Sequence, residues 1–135
     1  MIRVANPGAS GIMDPRHMST DSGMDEKTYR KRLDATLEHI DRAFDQVDPD
    51  LAESNLSQGA LTITMRNGHR LILSPQPSPR QLWIAFRDQA WHFDWNDARA
   101  CWLDDRGRNI EALSLVATLT REAAGVDVLA AARTS

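Results

Sequence analysis

The apolar positions fall into two rhythms. From Met24 onward, Tyr29, Leu33, Leu37, Ile40, Phe44 and Val47 recur at spacings of four and three, the single buried stripe of an amphipathic helix. Pro49 is expected to end that helix, because proline cannot donate the next helical hydrogen bond. Beyond it the period drops to two. Residues 60–66, ALTITMR, alternate Leu61, Ile63 and Met65 with Thr62 and Thr64, and Asn67-Gly68 predicts a two-residue hairpin turn with positive φ angles into residues 69–74. Pro75, Pro77 and Pro79 predict a stiff connection outside any central ladder. In residues 80–87, RQLWIAFR, Leu82, Ile84 and Phe86 share one face, and Gln81, Trp83 and Ala85 the other. Residues 90–95, AWHFDW, set Trp91, Phe93 and Trp95 against His92 and Asp94, and residues 100–103 offer another short strand. A turn at residues 104–107 leads to Asn109, the expected cap of a last helix over 110–124 closed by Gly125.

Helix, hairpin-linked strands, helix: this order predicts an α+β fold, a two-layer α/β sandwich. Its antiparallel sheet has five to six strands, with the N- and C-terminal helices on one face. The other face meets water, which turns the Trp83 indole outward. Residues 24–130 read as the domain. Residues 1–23 mix Gly, Pro, Ser and Asp without an apolar period and read as a disordered leader, with Met24 offering a natural start.

Composition narrows the function. A chain of 135 residues with 41% hydrophobic and 26% charged positions suits one globular domain. A net charge of -3, with its densest run acidic, argues against a nucleic-acid partner. The single cysteine, Cys101, excludes an internal disulfide and a thiolate metal cage and suits a reducing cytoplasm; half-way along a strand it reads as a small packing thiol. No apolar run nears the roughly 20 residues of a membrane span. Neither a GxSxG elbow nor a phosphate-binding glycine loop occurs, and the four histidines lack metal-ligand spacing. His92 and Asp94 on one strand face, and His39 beside the acids, are weak metal-ligand candidates. The expectation is a cytoplasmic protein that is not an enzyme and has no organic cofactor.

The first helix carries the chemistry. In LDATLEHIDRAFDQVDPD an acid follows nearly every large apolar residue, so Asp34, Glu38, Asp41, Asp45 and Asp48 trace a second stripe beside the buried one with only Arg42 among them. Like charges three or four apart cost a few tenths of a kcal/mol each, and those in the last turn oppose the helix dipole. Asp50 and Glu53 extend the patch. A solvated face is the plain reading. Two functional readings compete with it: hard oxygen ligands for iron, manganese, calcium or magnesium at exchangeable sites, or a surface that docks on a basic partner.

The segment GALTITMRNGHRLILSPQPSPRQLWIAFRDQAWHFDW resembles the central sheet of the frataxin family, of the bacterial CyaY type. Gln76, Pro77, Gln81, Leu82 and Trp83 fill its Gln-x-Pro-x-x-Gln-hydrophobic-Trp pattern. Trp91-His92-Phe93-Asp94, the Asp105-Arg106-Gly107 turn and the acidic first helix add to the likeness, which runs from about Asp25 to Val128. The resemblance implies an iron-binding acidic ridge at Asp41, Asp45, Asp48, Asp50 and Glu53, with Asp34 and Glu38 outlying, holding Fe2+ or Fe3+ weakly at surface carboxylates. It implies a regulator or iron-delivery adaptor in iron-sulfur cluster assembly whose partners are the cysteine desulfurase and the scaffold protein. Gln81 and Trp83, with His92 counted beside them, are the implied partner contacts. A monomer is expected, with metal-dependent oligomers left open. The alternative is a pure interaction module whose acids only dock.

Overall fold

The structure is a computed structural model that describes residues 24–129; the expected leader and residue 130 lie outside the described residues. The elements are α1 (Glu26–Ala43), β1 (Ala52–Ser57), β2 (Ala60–Met65), β3 (Arg70–Gln76), β4 (Gln81–Phe86), β5 (Gln89–Asn96), β6 (Cys101–Asp104) and α2 (Ala112–Ala124). The six strands lie in sequence order in one antiparallel sheet. Both helices pack on one face, as expected. β1 lies outside the strands foreseen, because AESNLS lacks the branched apolar alternation that marks its neighbours.

Register makes the core. Leu61, Leu73, Ile84 and Trp91 pair in succession across β2 to β5 and form one apolar row under the helices. Leu82 and Phe93 form the next row, and Tyr29, Leu33, Leu37 and Ile40 of α1 close over both. Each such fully buried side chain contributes about 1.5–3 kcal/mol. Tyr29 also ties α1 to the sheet end: its hydroxyl donates to the Gln81 carbonyl (2.7 Å) and accepts from the Gln76 N–H (2.9 Å). Trp102 stands edge-on to Tyr29 and donates its indole N–H to Thr36 Oγ1 (3.0 Å).

Four local expectations are corrected. α1 ends at Ala43, well before Pro49: Phe44, Asp45 and Val47 each donate to a carbonyl three residues back, so tighter turns replace the last helical turn. Continuing would set Asp45 and Asp48 against the negative helix end and hold the residue before proline in a disfavoured α conformation. The β2–β3 loop has three residues, Arg66 to Gly68, with Met65 N–H bonded to the His69 carbonyl and only Gly68 at positive φ (90°). The two-residue turn with positive φ at both positions is Gln58-Gly59, where Arg30 lies 3.1 Å from where a Cβ on Gly59 would sit. Pro75 belongs to β3, paired with Leu82. It is tolerated because β3 has there outrun β2, whose ladder ends at Leu61↔Leu73, so no bond on that side is lost. The last helix is capped by Glu111, whose carboxylate accepts from Leu113 N–H (2.8 Å) and Ser114 N–H (3.1 Å). Asn109 instead adopts a left-handed conformation and accepts from Arg99 (2.8 Å). Gly125 closes that helix as expected.

Alternation also drives one carboxylate inward. Asp104 pairs with Phe93 on the helix-covered face, and its side chain is fully buried. Arg108 neutralises it through two charge-assisted bonds (2.7 and 3.1 Å), and the N–H groups of Arg106 and Arg108 add two more. The Arg108 guanidinium, ahead of those backbone donors, holds the Asp104 carboxyl down at about 2.

Two stability measurements test this packing. The Thr120 hydroxyl of α2 is buried without a partner, so Thr120→Val should raise stability by about 1 kcal/mol in urea unfolding. Asp104 is ionised more readily folded than unfolded, where carboxyls titrate near 3.9. Its contribution is therefore complete above that value and fades as pH falls toward about 2. Asp104→Asn should accordingly lower the urea midpoint at pH 7, and the gap to wild type should narrow between pH 4 and pH 2.

Candidate functional site

Two polar constellations stand out. The first is the acidic edge where α1 ends and β1 begins. Asp34, Glu38 and Asp41 lie on α1; Asp45 and Asp48 lie in the turns after it, and Asp50 precedes β1. The uninterrupted helical stripe expected from sequence is thus broken into a helical half and a loop half. The stripe is also less unpaired than it reads. Arg30, four residues before Asp34, reaches it at 3.5 Å, and Arg42 reaches Glu38 at 3.7 Å. Both are exposed i,i+4 pairs worth about 0.3–0.5 kcal/mol, too little to cancel the edge's charge.

The other acids divide by local chemistry. The Ser54 hydroxyl of β1 donates to Asp41 Oδ1, tying the helix end to the edge strand. Asp48 builds the turn into β1: its Oδ1 accepts from Asp50 N–H (2.9 Å), and its carbonyl accepts from Leu51 and Ala52. Glu53 pairs with Thr64 on the open face, whereas Ser54 faces α1. The alternation of β1 therefore sends Glu53 and Asp41 to opposite sides of the sheet edge. Among the described residues, Asp45, Asp50 and Glu53 are exposed and take part in no ion pair, and no three His, Cys, Asp or Glu side chains converge as a ready metal cage. A cleft of about 660 Å³ beside the edge is lined by His39, Arg42, Asp48 and Asp127, among others, so cationic and anionic groups share this corner.

The second constellation lies on the open sheet face. Ser74, Trp83, His92 and Asp105 form one cross-strand row. The Trp83 indole stacks on the His92 imidazole, with centroids 4.0 Å apart and planes 13° apart. Trp83 Nε1–H donates to Gln81 Oε1 (2.9 Å), and Gln81 Nε2 donates to Asp94 Oδ1 (3.1 Å) and Asp105 Oδ2 (3.0 Å). The two carboxylates accept only, so they fix which end of the Gln81 amide faces the indole. The structure brings Gln81, Trp83 and His92 together; Trp83 faces outward as its phase predicts and is half-buried there, stacked on the His92 imidazole. Asp105 was missed by sequence reasoning, since only the β5–β6 register sets it beside His92. Asp94 had been noted for its place on the His92 face, yet its partner is an amide. Ile72, 39% exposed, lies one row away on the same face. Cys101 is half-buried, and burial raises its thiol pKa, consistent with a packing role.

This placement separates the open face from the core. Trp102→Ala, in the core, should cost about 3–5 kcal/mol, whereas Trp83→Ala should cost about 1 kcal/mol, the scale of one stacked pair; urea unfolding of both variants checks the contrast.

Comparison with known proteins gives the lineage. Residues 22–126 match the model of the frataxin-like domain. The iron-sulfur cluster assembly protein CyaY of Pseudomonas aeruginosa is 37% identical over 105 residues, covering 78% of this chain and 95% of its own. Its namesake in Tolumonas auensis is 33% identical over 93 residues, covering 67% and 86%. Among solved structures, frataxin from Psychromonas ingrahamii superposes with a TM-score of 0.70 at 21% identity, covering 78% of this chain and 96% of that one. The trimeric yeast frataxin complexed with ferrous iron superposes at 0.53 and 20%, covering 83% and 93%. The two structural matches establish the fold, and the family match over most of the chain establishes descent: this chain belongs to the frataxin-like family, of the bacterial CyaY type.

Proposed function

We propose that this protein serves iron-sulfur cluster assembly, binding Fe2+ or Fe3+ weakly at Asp34, Glu38, Asp41, Asp45, Asp48, Asp50 and Glu53 and regulating, or delivering iron to, the cysteine desulfurase and scaffold proteins. The observation that carries the reading is the acidic edge at the α1–β1 junction, where, among the described residues, Asp45, Asp50 and Glu53 take part in no ion pair. The names of its CyaY relatives and the ferrous complex of the yeast frataxin lend support. Oxygen ligands on an exposed, uncaged edge suit a cargo ion that must leave again. Gln81, Trp83 and His92 form the second contact surface. No helix among the described residues is long and apolar enough to cross a membrane.

A second reading keeps the docking and makes iron incidental. It is favoured by the Arg30 and Arg42 pairs and by the dispersal of the acids over helix, loop and strand. Replacing Asp41, Asp45 and Asp48 together by Asn separates the two, because asparagine can still accept the Ser54 and Asp50 hydrogen bonds while removing charge. In anaerobic iron titration followed by amide NMR shifts, the triple variant should bind on the order of 100-fold more weakly, since three charges are removed at ~1 kcal/mol per close charge in water. Retained desulfurase binding with lost iron binding supports the first reading; unchanged iron binding with lost, salt-sensitive desulfurase binding supports the second.

A further inference from the structure

The Trp83 surface contains one imidazole, the side-chain type used as a proton-responsive switch in proteins. His92 is a half-buried imidazole packed flat on the indole, with Nδ1 3.9 Å from Asp105 Oδ2. At that separation a neutral ring makes no hydrogen bond to the carboxylate. Protonation would add a full charge between an acid and the face of an indole, and would place a donor on the nitrogen nearest the acid. The same Oδ2 accepts from Gln81 Nε2 at 3.0 Å, and Gln81 Oε1 accepts the indole N–H at 2.9 Å. A charge on His92 is therefore coupled to Trp83 by two routes, ring stacking and the Asp105–Gln81 relay.

We propose that His92 is a proton-operated clamp on Trp83: protonation draws Asp105 onto the imidazole and tightens the indole's hold on the sheet, and deprotonation restores the looser contact, with Nδ1 3.9 Å from Asp105 Oδ2. The groups around His92 suit that role. From β4 it meets Trp83, across which β3 presents the neutral Ser74. On its own strand, Asp94 is held by Gln81. After β6 it meets Asp105, and the nearby cation Arg108 is already committed to Asp104 at 2.7 and 3.1 Å. The charge nearest the ring is thus the negative one that a histidinium would pair with. The clamp would also neutralise part of the acidic rim around the indole, so protonation changes both the rigidity and the charge of this surface. Its consequence for docking rests on the reading of Gln81, Trp83 and His92 as partner contacts, but the coupling itself does not.

The test uses the free full-length protein. The Trp83 indole N–H signal, identified by its loss in Trp83→Phe, is followed by NMR from about pH 5 to pH 8, the window in which histidine titrates. It should move along one sigmoid together with the His92 ring protons, and His92→Gln should flatten that curve. Asp105→Asn should leave the His92 ring titrating while reducing the displacement of the indole signal. A flat Trp83 signal in the wild type, or an unchanged sigmoid in His92→Gln, overturns the clamp. Binding of the desulfurase and scaffold proteins at both ends of the window is read separately: coupling seen in the free protein without a pH effect on either partner keeps the clamp and counts against the docking surface.

Discussion

The structure depends on one geometric constraint: an antiparallel sheet sends successive side chains to opposite faces, and here only one face is covered. The registers lock Leu61, Leu73, Ile84 and Trp91 into a row beneath the helices. A slip of one residue in any strand would invert its buried and solvated sets. The stripe on α1 then has one surface to meet, and Tyr29 fixes where along the sheet it sits by bridging β3 and β4. The same parity decides the fate of individual polar residues. It buries Asp104, which needs Arg108 to be tolerated there, and it leaves Asp105 one position later on the open face beside His92.

The two candidate surfaces have contrasting physical character. At the α1–β1 junction the carboxylates are exposed, dispersed over three kinds of backbone and paired only by weak surface bridges. Such an edge exerts a field without offering a fixed cage, which suits exchangeable cations or a basic partner. On the open face the polar groups are tightly interlocked, each held by a neighbour on another strand. Preorganisation of that sort lowers the ordering cost when a partner docks. The acidic edge and the interlocked aromatic patch are thus physically distinct: one is a diffuse field, the other an ordered contact network.

Much of this was legible in the sequence because two periods, near 3.6 and 2, are imposed by local backbone geometry. They gave both helices, the strands β2 to β6 with the faces of β2, β4 and β5, the buried positions of Leu82, Ile84, Phe86 and Phe93, and the outward phase of Trp83. The Gly125 cap was legible for the same reason: a left-handed helix terminus favours a residue without a Cβ. Two of the missed or misplaced features needed a partner distant in the chain. β1 has little apolar alternation and exists because β2 pairs with it. Pro75 enters a central strand because β2 ends before reaching it.

The charges followed the same division. Sequence alone determined that acids flank the apolar stripe of α1, since side-chain identity and spacing are local facts. It did not determine how many of them share a helix, because the end of α1 is a balance among dipole, proline and the turn built by Asp48. Nor did it determine that Glu53 leaves the face of Asp41, or that Gln81, Trp83, His92, Asp94 and Asp105 interlock. Those outcomes depend on which strands pair and in which register, and pairing is decided by burying a whole face at once, a quantity that no short window of residues contains.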